Sequence, residues 1–246
     1  MMSSDRSFYI KLVAICYPVW IILFVSSGLT TSTLPPVNAN LEVDSLIPFI
    51  PGFVWVYVSC YVMPLFLVLI AKNWHRFNVV LLSLAIAHVV AFAVYLNLPV
   101  SVQKPGTGYS VSGIILSVLY SWGVEPWTNN LPSLHVIFAF TIATGSLGQS
   151  LGRPVEIVTF IWATFIAAST LLVRQHIVLD VASGLLTMAG TWALAGFLYR
   201  RYVVVSQDAR SSLNQLTKRI GPWLLFSVAL MLSLTAIHWM LLKPHG

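Results

Sequence analysis

Three ionisable side chains stand where apolar segments begin, a position in which such groups are costly unless they are paired or functional. His135 ends a Pro-Ser-Leu-His tetrapeptide, and His176 is followed four residues later by Asp180. Residues four apart share one face of a helix, so Asp180 can orient the His176 imidazole and stabilise its positive form. This pattern is typical of an activated nucleophile or base.

A phosphate site is predicted at the start of the segment that carries His135. Pro132 suits the first turn of a helix, which would place the helix cap near Asn130 or Leu131. The amides at such a helix start attract anions, and the hydroxyl of Ser133 would add a further hydrogen bond. We therefore expect Ser133 to contact phosphate oxygens.

Two basic residues could supply charge to the same oxygens. Lys104 closes the third apolar segment, and Arg174 lies two residues before His176. Charge-assisted hydrogen bonds to phosphate are strong, although either residue could instead anchor to lipid headgroups. The two histidines and the aspartate could also bind a metal by ligand type. The phosphate interpretation requires no metal or other cofactor, and none is expected.

The segments that must position these groups are apolar throughout. Of the 246 residues, 58% are hydrophobic and 8% are charged, against about 45–50% and 25% in soluble domains. This composition excludes a soluble globular protein, a disordered chain and a nucleic-acid-binding protein. About 20 apolar residues cross a bilayer, and seven such windows occur, near 8–29, 50–71, 77–98, 132–149, 154–173, 175–199 and 220–241. Residues 1–246 are therefore predicted to form a single all-α transmembrane helical bundle.

The distribution of basic residues predicts the orientation of the bundle. Ten of the thirteen Lys and Arg residues fall on one side if the N-terminus is cytoplasmic, as the positive-inside rule requires. The other side receives Lys104, Arg174 and Lys243. One window leads inward from His135 and the next leads back out towards His176, so both histidines are expected at the extracytoplasmic or luminal face.

The segment 99–131 is predicted to be an extracytoplasmic loop that contains a short helix. Five of its apolar residues recur at the spacing of one helical face: Val111, Ile114, Ile115, Val118 and Leu119. The helix is too short to span a membrane, and Tyr109, Trp122 and Trp127 flank it. The segment is expected to form either a helix that lies in the outer membrane interface or a loop that packs on the bundle.

At these residues the chain resembles the type 2 phosphatidic acid phosphatase superfamily of membrane lipid phosphatases and phosphotransferases. That family carries three motifs: Lys-x6-Arg-Pro, Pro-Ser-Gly-His and Ser-Arg-x5-His-x3-Asp. The second reads Pro132-Ser133-Leu134-His135 here, which is similar to the branch that contains inositol phosphorylceramide synthases, and the third keeps His176-x3-Asp180. The resemblance covers residues 95–184 approximately. It implies a six-helix core, to which this chain would add one C-terminal span.

Besides Leu134 in the second motif, the chain departs from the first and third motifs. Lys104-Pro105 stands where the first motif has Arg-Pro, and Asn97 stands where it has Lys. Ser169-Thr170 replaces the Ser-Arg of the third motif. Because lysine lacks the bidentate fork of arginine, the resemblance implies phosphate contacts that are fewer or rearranged.

The resemblance implies a phosphoryl transfer in two steps. His176 would attack phosphorus and form a phosphohistidine, Asp180 would hold His176, and His135 would protonate the leaving oxygen. Lys104, Ser133 and Arg174 would hold the phosphate oxygens.

Three functions fit this site. The first is a phosphatase that hydrolyses a phosphate or diphosphate ester of a lipid. The second is a phosphotransferase that moves a phospho-head-group between lipids, and the third is a non-catalytic lipid-binding or transport protein. The expected partners are a phosphorylated lipid and the surrounding membrane lipids, with no nucleic acid, and the sequence predicts no oligomeric state.

Overall fold

The chain folds into a helical bundle, which a computed structural model describes for residues 2–31, 34–121, 128–149, 152–203 and 209–242. Within these ranges β-pairing is limited to isolated bridges. The helices, in chain order, are α1 (Met2–Thr31), α2 (Glu42–Leu46), α3 (Val54–Val58), α4 (Met63–Ile70), α5 (Trp74–Asn97), α6 (Val111–Ser121), α7 (Leu134–Ser146), α8 (Arg153–Leu172), α9 (Val178–Tyr202) and α10 (Ala209–Leu242).

Among the residues that the structure describes, five helical stretches are long and apolar enough to cross a membrane, and each matches a predicted window. They are Arg6–Thr31, Pro51–Ile70, Trp74–Asn97, Arg153–Leu172 and Val178–Tyr202. The second of them is built from α3 and α4, which are joined and preceded by 3₁₀ turns. The prediction of an all-helical, multi-pass membrane protein is therefore confirmed at this level.

The fourth predicted window contains a helix shorter than a span. α7 has 13 residues, or about 20 Å at 1.5 Å per residue, against about 30 Å for the hydrocarbon core. It packs against α5, α8 and α9, and nearly all of its side chains are buried. α7 is apolar because it lies inside the bundle, so its composition reflects protein contacts more than contact with lipid.

The seventh predicted window lies within α10, which is helical from Ala209 to Leu242. The first part of α10 packs on α5 and α9, where Leu216 is buried. Most side chains of the window 220–241 lie outside the described residues, as does Lys243, so the additional C-terminal span stays a prediction.

A helix forms in the segment 99–131. Part of its predicted apolar face packs on the bundle, and part of that face is exposed. In α6, Ile115 and Leu119 of the predicted face pack against a cluster that contains Val173, as do Leu116 and Tyr120, which were not assigned to that face. Val111 and Ile114 are 68% and 54% exposed. The interfacial position of α6 stays a prediction, and its flanking Trp122 and Trp127 lie outside the described residues.

The starts of α7 and α9 lie in close contact at one end of the bundle, which we call the histidine end. Gly184 of α9 makes this contact possible. A Cβ atom built on Gly184 would lie 3.0 Å from the carbonyl oxygen of Ser133 and 3.1 Å from Cβ of Val136. The missing side chain therefore lets the elements that carry the two histidines approach each other.

Candidate active site

Ser133 begins α7, which corrects the predicted position of the helix cap. Ser133 is the N-cap, and its Oγ accepts a hydrogen bond from the amide of Val136 at 3.4 Å. The expectation that Pro132 lies in the first turn, with Asn130 or Leu131 at the cap, is wrong. Serine is preferred at this position because its side-chain oxygen satisfies an amide that has no partner within the helix.

A tight turn between α8 and α9 places His176. The amide of Gln175 donates to the carbonyl of Thr170 at 2.9 Å, and the amide of Arg174 donates to that of Leu171 at 3.0 Å. This is the hydrogen-bond pattern of a Schellman motif, which requires a left-handed residue after the helix. Arg174 takes that conformation with φ 51°, and the chain then turns directly into α9.

His135, His176 and Asp180 form one hydrogen-bonded chain, which we call the His–His–Asp chain. Nδ1 of His135 lies 3.3 Å from Nε2 of His176. Nδ1 of His176 lies 3.1 Å from Oδ2 of Asp180, which also accepts the amide of Ile177 at 3.1 Å. The structure thus joins side chains that are 41 residues apart in the sequence.

The hydrogen bonds assign the proton positions in this chain when both rings are neutral. A carboxylate only accepts hydrogen bonds, so Nδ1 of His176 carries the proton and its Nε2 is left with a lone pair. Nδ1 of His135 then donates to that lone pair, and Nε2 of His135 accepts from a donor on its other side. The nitrogen of His176 that faces His135 is therefore the one able to act as a nucleophile.

Two tyrosines that the sequence analysis missed complete the chain. The hydroxyls of Tyr57 and Tyr61 lie 2.8 Å and 3.3 Å from Nε2 of His135. Both belong to the second predicted span, and their spacing of four residues puts them on one face of a helix. That spacing was the only available signal, and it could not reveal which histidine the face meets.

The site is closed to solvent in this structure. His135 and His176 are each 6% exposed, and Asp180 is fully buried. Oδ1 of Asp180 has no hydrogen-bond partner, although buried carboxylate oxygens usually have one. The two imidazoles contact each other directly, which leaves no space for a phosphoryl group between them.

Lys104 lies beside the His–His–Asp chain but binds the turn that precedes it. Its ammonium donates to the carbonyls of Arg174 and Gln175 at 3.0 and 3.3 Å, and to Oε1 of Gln175 at 3.1 Å. It also lies 5.4 Å from the ring centroid of Tyr120. Lys104 therefore stabilises the turn that carries His176.

Tyr120 supports the same turn from α6. Its hydroxyl donates to the carbonyl of Val173. Burial raises the pKa of Tyr120, an effect that the nearby Arg174 partly opposes. The phenol consequently keeps the proton that this hydrogen bond needs.

Arg174 points away from the two histidines, towards the segment that contains α2. Its guanidinium donates to the carbonyls of Asp44 and Ile47. The buried Asp44 carboxylate in turn accepts the amide of Val178 at 2.8 Å, where α9 begins. Asp44 is thus a third residue that the sequence analysis missed, and it ties this segment to the helix start beside His176.

The structure therefore brings four of the six predicted site residues together, and the other two bind different partners. The His–His–Asp chain is continuous, and the backbone amide of Ser133 donates to the carbonyl of Asp180 at 3.0 Å. Lys104 and Arg174 lie at the same end but bind backbone carbonyls. Within the described ranges, no three His, Cys, Asp or Glu side chains are arranged to hold a metal ion.

Comparisons with known proteins add one distant relative. An uncharacterized protein of Methanocaldococcus jannaschii is 26% identical over 117 residues, which is 48% of this chain and 46% of that protein. The chain thus matches less than half the length of this relative. No protein-family model matches the chain, and no solved structure matches it. The superfamily assignment therefore stays a proposal that rests on the residues and their geometry.

Proposed function

We propose that this protein is a membrane-embedded lipid phosphatase that works through a phosphohistidine. One observation carries the proposal: His176 is held by Asp180 so that its unprotonated Nε2 faces a second histidine, His135. A nucleophile, an orienting carboxylate and a proton donor within hydrogen-bond reach are what covalent catalysis needs. The substrate would be a phosphate or diphosphate ester of a lipid.

In the first step, the lone pair on Nε2 of His176 attacks phosphorus. An N–P bond forms while the bond from phosphorus to the lipid oxygen breaks. His135, which enters this step as the imidazolium, gives that oxygen a proton and becomes neutral. Asp180 stabilises the positive charge that develops on His176. In the second step the neutral His135 takes a proton from water, whose oxygen attacks phosphorus. The N–P bond to His176 breaks, and inorganic phosphate leaves.

Substrate binding requires the two imidazoles to separate. The present contact of 3.3 Å between His135 and His176 is a hydrogen-bond distance, so the phosphoryl group must displace one ring. Apo hydrogen bonds need not match those of the reacting complex. The proposal therefore includes an open state in which His135 leaves its contact with Nε2 of His176 and the phosphoryl group takes its place.

Lys104, Ser133 and Arg174 are proposed to hold the phosphate oxygens in that open state. Lys104 and Arg174 would have to give up backbone carbonyls for phosphate. Their present bonds favour a second candidate function, a lipid-binding protein without catalysis, in which both residues serve only to stabilise the fold. The Pro-Ser-Leu-His sequence favours a third, transfer of the phospho-head-group to a second lipid alcohol.

The orientation of the site is part of the proposal. The basic residues favour a cytoplasmic N-terminus, which would place the histidine end at the extracytoplasmic or luminal face. A lipid in the outer leaflet could then reach the site with its phosphate near the interface.

The decisive experiment compares purified protein with two variants on a panel of phosphorylated lipids. The panel contains phosphatidate, polyprenyl phosphate and diphosphate, and a sphingolipid head-group donor, each with and without ceramide as acceptor. Free phosphate without an acceptor-linked product indicates hydrolysis, and an acceptor-dependent phosphodiester indicates transfer. An acid-labile phosphoenzyme in the parent protein would identify the phosphohistidine.

His176→Ala is expected to abolish both turnover and the phosphoenzyme. His75→Ala is the matched control, because His75 belongs to the start of α5 and bonds Tyr199 at 2.8 Å, outside the His–His–Asp chain. Turnover that survives in His176→Ala, on a lipid that the parent converts, would overturn the proposed role. Lipid binding without turnover in the parent would support the non-catalytic candidate.

A further inference from the structure

An apolar cavity of about 490 Å³ lies between α1, α5, α7 and α10. Its volume is in the range of sites that bind small ligands. Most of the side chains that line it are aliphatic or aromatic. They include Leu12, Leu23, Leu84, Val89, Phe92 and Phe138. Such a wall binds hydrocarbon and offers few partners to a polar ligand.

The cavity adjoins the candidate active site. Leu134, which lines it, directly precedes His135. Phe24 also lines it, and its ring centroid is 6.3 Å from that of His135. A third lining residue, Tyr95, donates a hydrogen bond to the carbonyl of Pro132 at 2.9 Å. A chain in the cavity could therefore end in a headgroup at the histidine end.

The cavity also lies at the perimeter of the bundle. Ile15 and Val19 of α1 and Leu225 of α10 line it and are 66%, 50% and 72% exposed. In a membrane, exposed apolar side chains in the middle of a spanning helix contact the hydrocarbon chains of lipids. The occupant that suits both the wall and the surroundings is the chain of a lipid.

Two nitrogens on lining residues lack hydrogen-bond partners. Nε1 of Trp20 and Nε2 of His88 are buried without one, and the two ring centroids lie 5.9 Å apart. Nδ1 of His88 lies 2.8 Å from the carbonyl of Leu84, which only accepts, so in the neutral ring Nε2 is an acceptor. The indole N–H of Trp20 is a donor.

A hydroxyl group matches this pair, because it can accept from Trp20 and donate to His88. Buried polar groups without partners are costly, so a ligand that satisfies them gains affinity. His88 precedes Tyr95 by seven residues on α5, or about 10 Å along the helix. The hydroxyl group would therefore lie on a carbon of the lipid chain that is distant from the headgroup.

We propose that this cavity binds the hydrocarbon chain of a lipid and that Trp20 and His88 recognise a hydroxyl group on that chain. Placement of the headgroup at His135 and His176 rests on the proposed function, whereas binding of the chain does not. The substrate class is thus a phosphorylated lipid with a chain hydroxyl.

Cys16 provides a reporter for occupancy. It lines the cavity, and the chain's second cysteine, Cys60, is buried. In a Cys60→Ala variant, the rate at which a hydrophobic maleimide labels Cys16 is measured with a long-chain alkyl phosphate that carries a mid-chain hydroxyl, and with its deoxy analogue. Both lipids are expected to slow labelling, and the hydroxylated one at about three- to tenfold lower concentration.

Two further sets of variants make the test specific. Leu186→Cys, in a chain without Cys16 and Cys60, places a thiol on an exposed residue of α9, and its labelling should be unaffected by either lipid. Trp20→Phe and His88→Leu should each keep protection by the chain but lose the preference for the hydroxylated lipid. Ala85→Trp, which fills the cavity, should abolish protection by both lipids.

The proposal is overturned if neither lipid protects Cys16, if Leu186→Cys is protected equally, or if the preference survives in both the Trp20 and His88 variants. Turnover of a short, water-soluble phosphate ester tests the proposed function separately, because such a substrate does not need the cavity. Protection of Cys16 without this turnover would refute the phosphatase alone. Turnover without protection would refute the lipid-chain site alone.

Discussion

Replacing Asp180 with Asn removes the charge of the His–His–Asp chain with little change in shape. The amide oxygen can still accept from Nδ1 of His176 and from the amide of Ile177, as Oδ2 does at 3.1 Å to each. The new NH₂ group takes the place of Oδ1, which has no partner in the present structure. We therefore expect the variant to fold, with a loss of about 1 kcal/mol in the free energy of unfolding.

The effect on turnover should be much larger than the effect on stability. A hydrogen bond to a charged partner is worth about 1.5–3 kcal/mol, and Asp180 provides this for His176 when its ring becomes positive during phosphoryl transfer. At 1.36 kcal/mol for each factor of ten, loss of the charge lowers turnover roughly ten- to 150-fold. The phosphoenzyme should form at a correspondingly lower rate.

Asp44→Asn is the matched control, because it alters a buried carboxylate at the same end of the bundle. Asp44 caps the start of α9 through the amide of Val178 at 2.8 Å but makes no bond to either histidine. Initial rates of phosphate release and thermal unfolding in detergent are measured for both variants. Parent-like turnover in Asp180→Asn, or an equal loss in both variants, would refute the assignment of Asp180.

Three further substitutions test how the site is held. Tyr57→Phe removes the 2.8 Å hydrogen bond to Nε2 of His135 and should lower turnover about tenfold with little change in unfolding temperature; a parent-like rate would show that this bond has no role. Ser133→Ala removes the cap of α7 and should cost about 1 kcal/mol in the free energy of unfolding, measured by thermal unfolding in detergent. Gly184→Ala places a Cβ 3.0 Å from the Ser133 carbonyl, so both stability and turnover should fall. A parent-like unfolding temperature in Gly184→Ala would contradict this contact.

The general architecture was predictable from composition and hydrophobic length alone. Over the described residues, five of the seven predicted windows contain helices that are both long and apolar enough to cross a membrane, since the cost of placing polar groups in lipid leaves few alternatives to a helix. Residue periodicity also indicated a helix where α6 forms, although the side chains that are most buried, Leu116 and Tyr120, were not on the predicted face. Local signals of this kind need no knowledge of distant contacts.

The length of α7 could not be predicted in the same way. An apolar run has the same composition whether it faces lipid or the inside of a bundle, and α7 is surrounded by α5, α8 and α9. Its start was also misplaced, because Pro132 fits the first turn of a helix and Ser133 fits the cap position that precedes the first turn. Only the hydrogen bond from the amide of Val136 to Ser133 distinguishes these assignments.

The sequence by itself determined which side chains could do chemistry, because the spacing of His176 and Asp180 is a local property of one helix. Tertiary structure decided what each group touches. It placed His135 against His176, added Tyr57 as a donor, and turned Lys104 and Arg174 towards backbone carbonyls. Long basic side chains reach several acceptors from one backbone position, and the nearest acceptor depends on the fold of segments far away in the sequence.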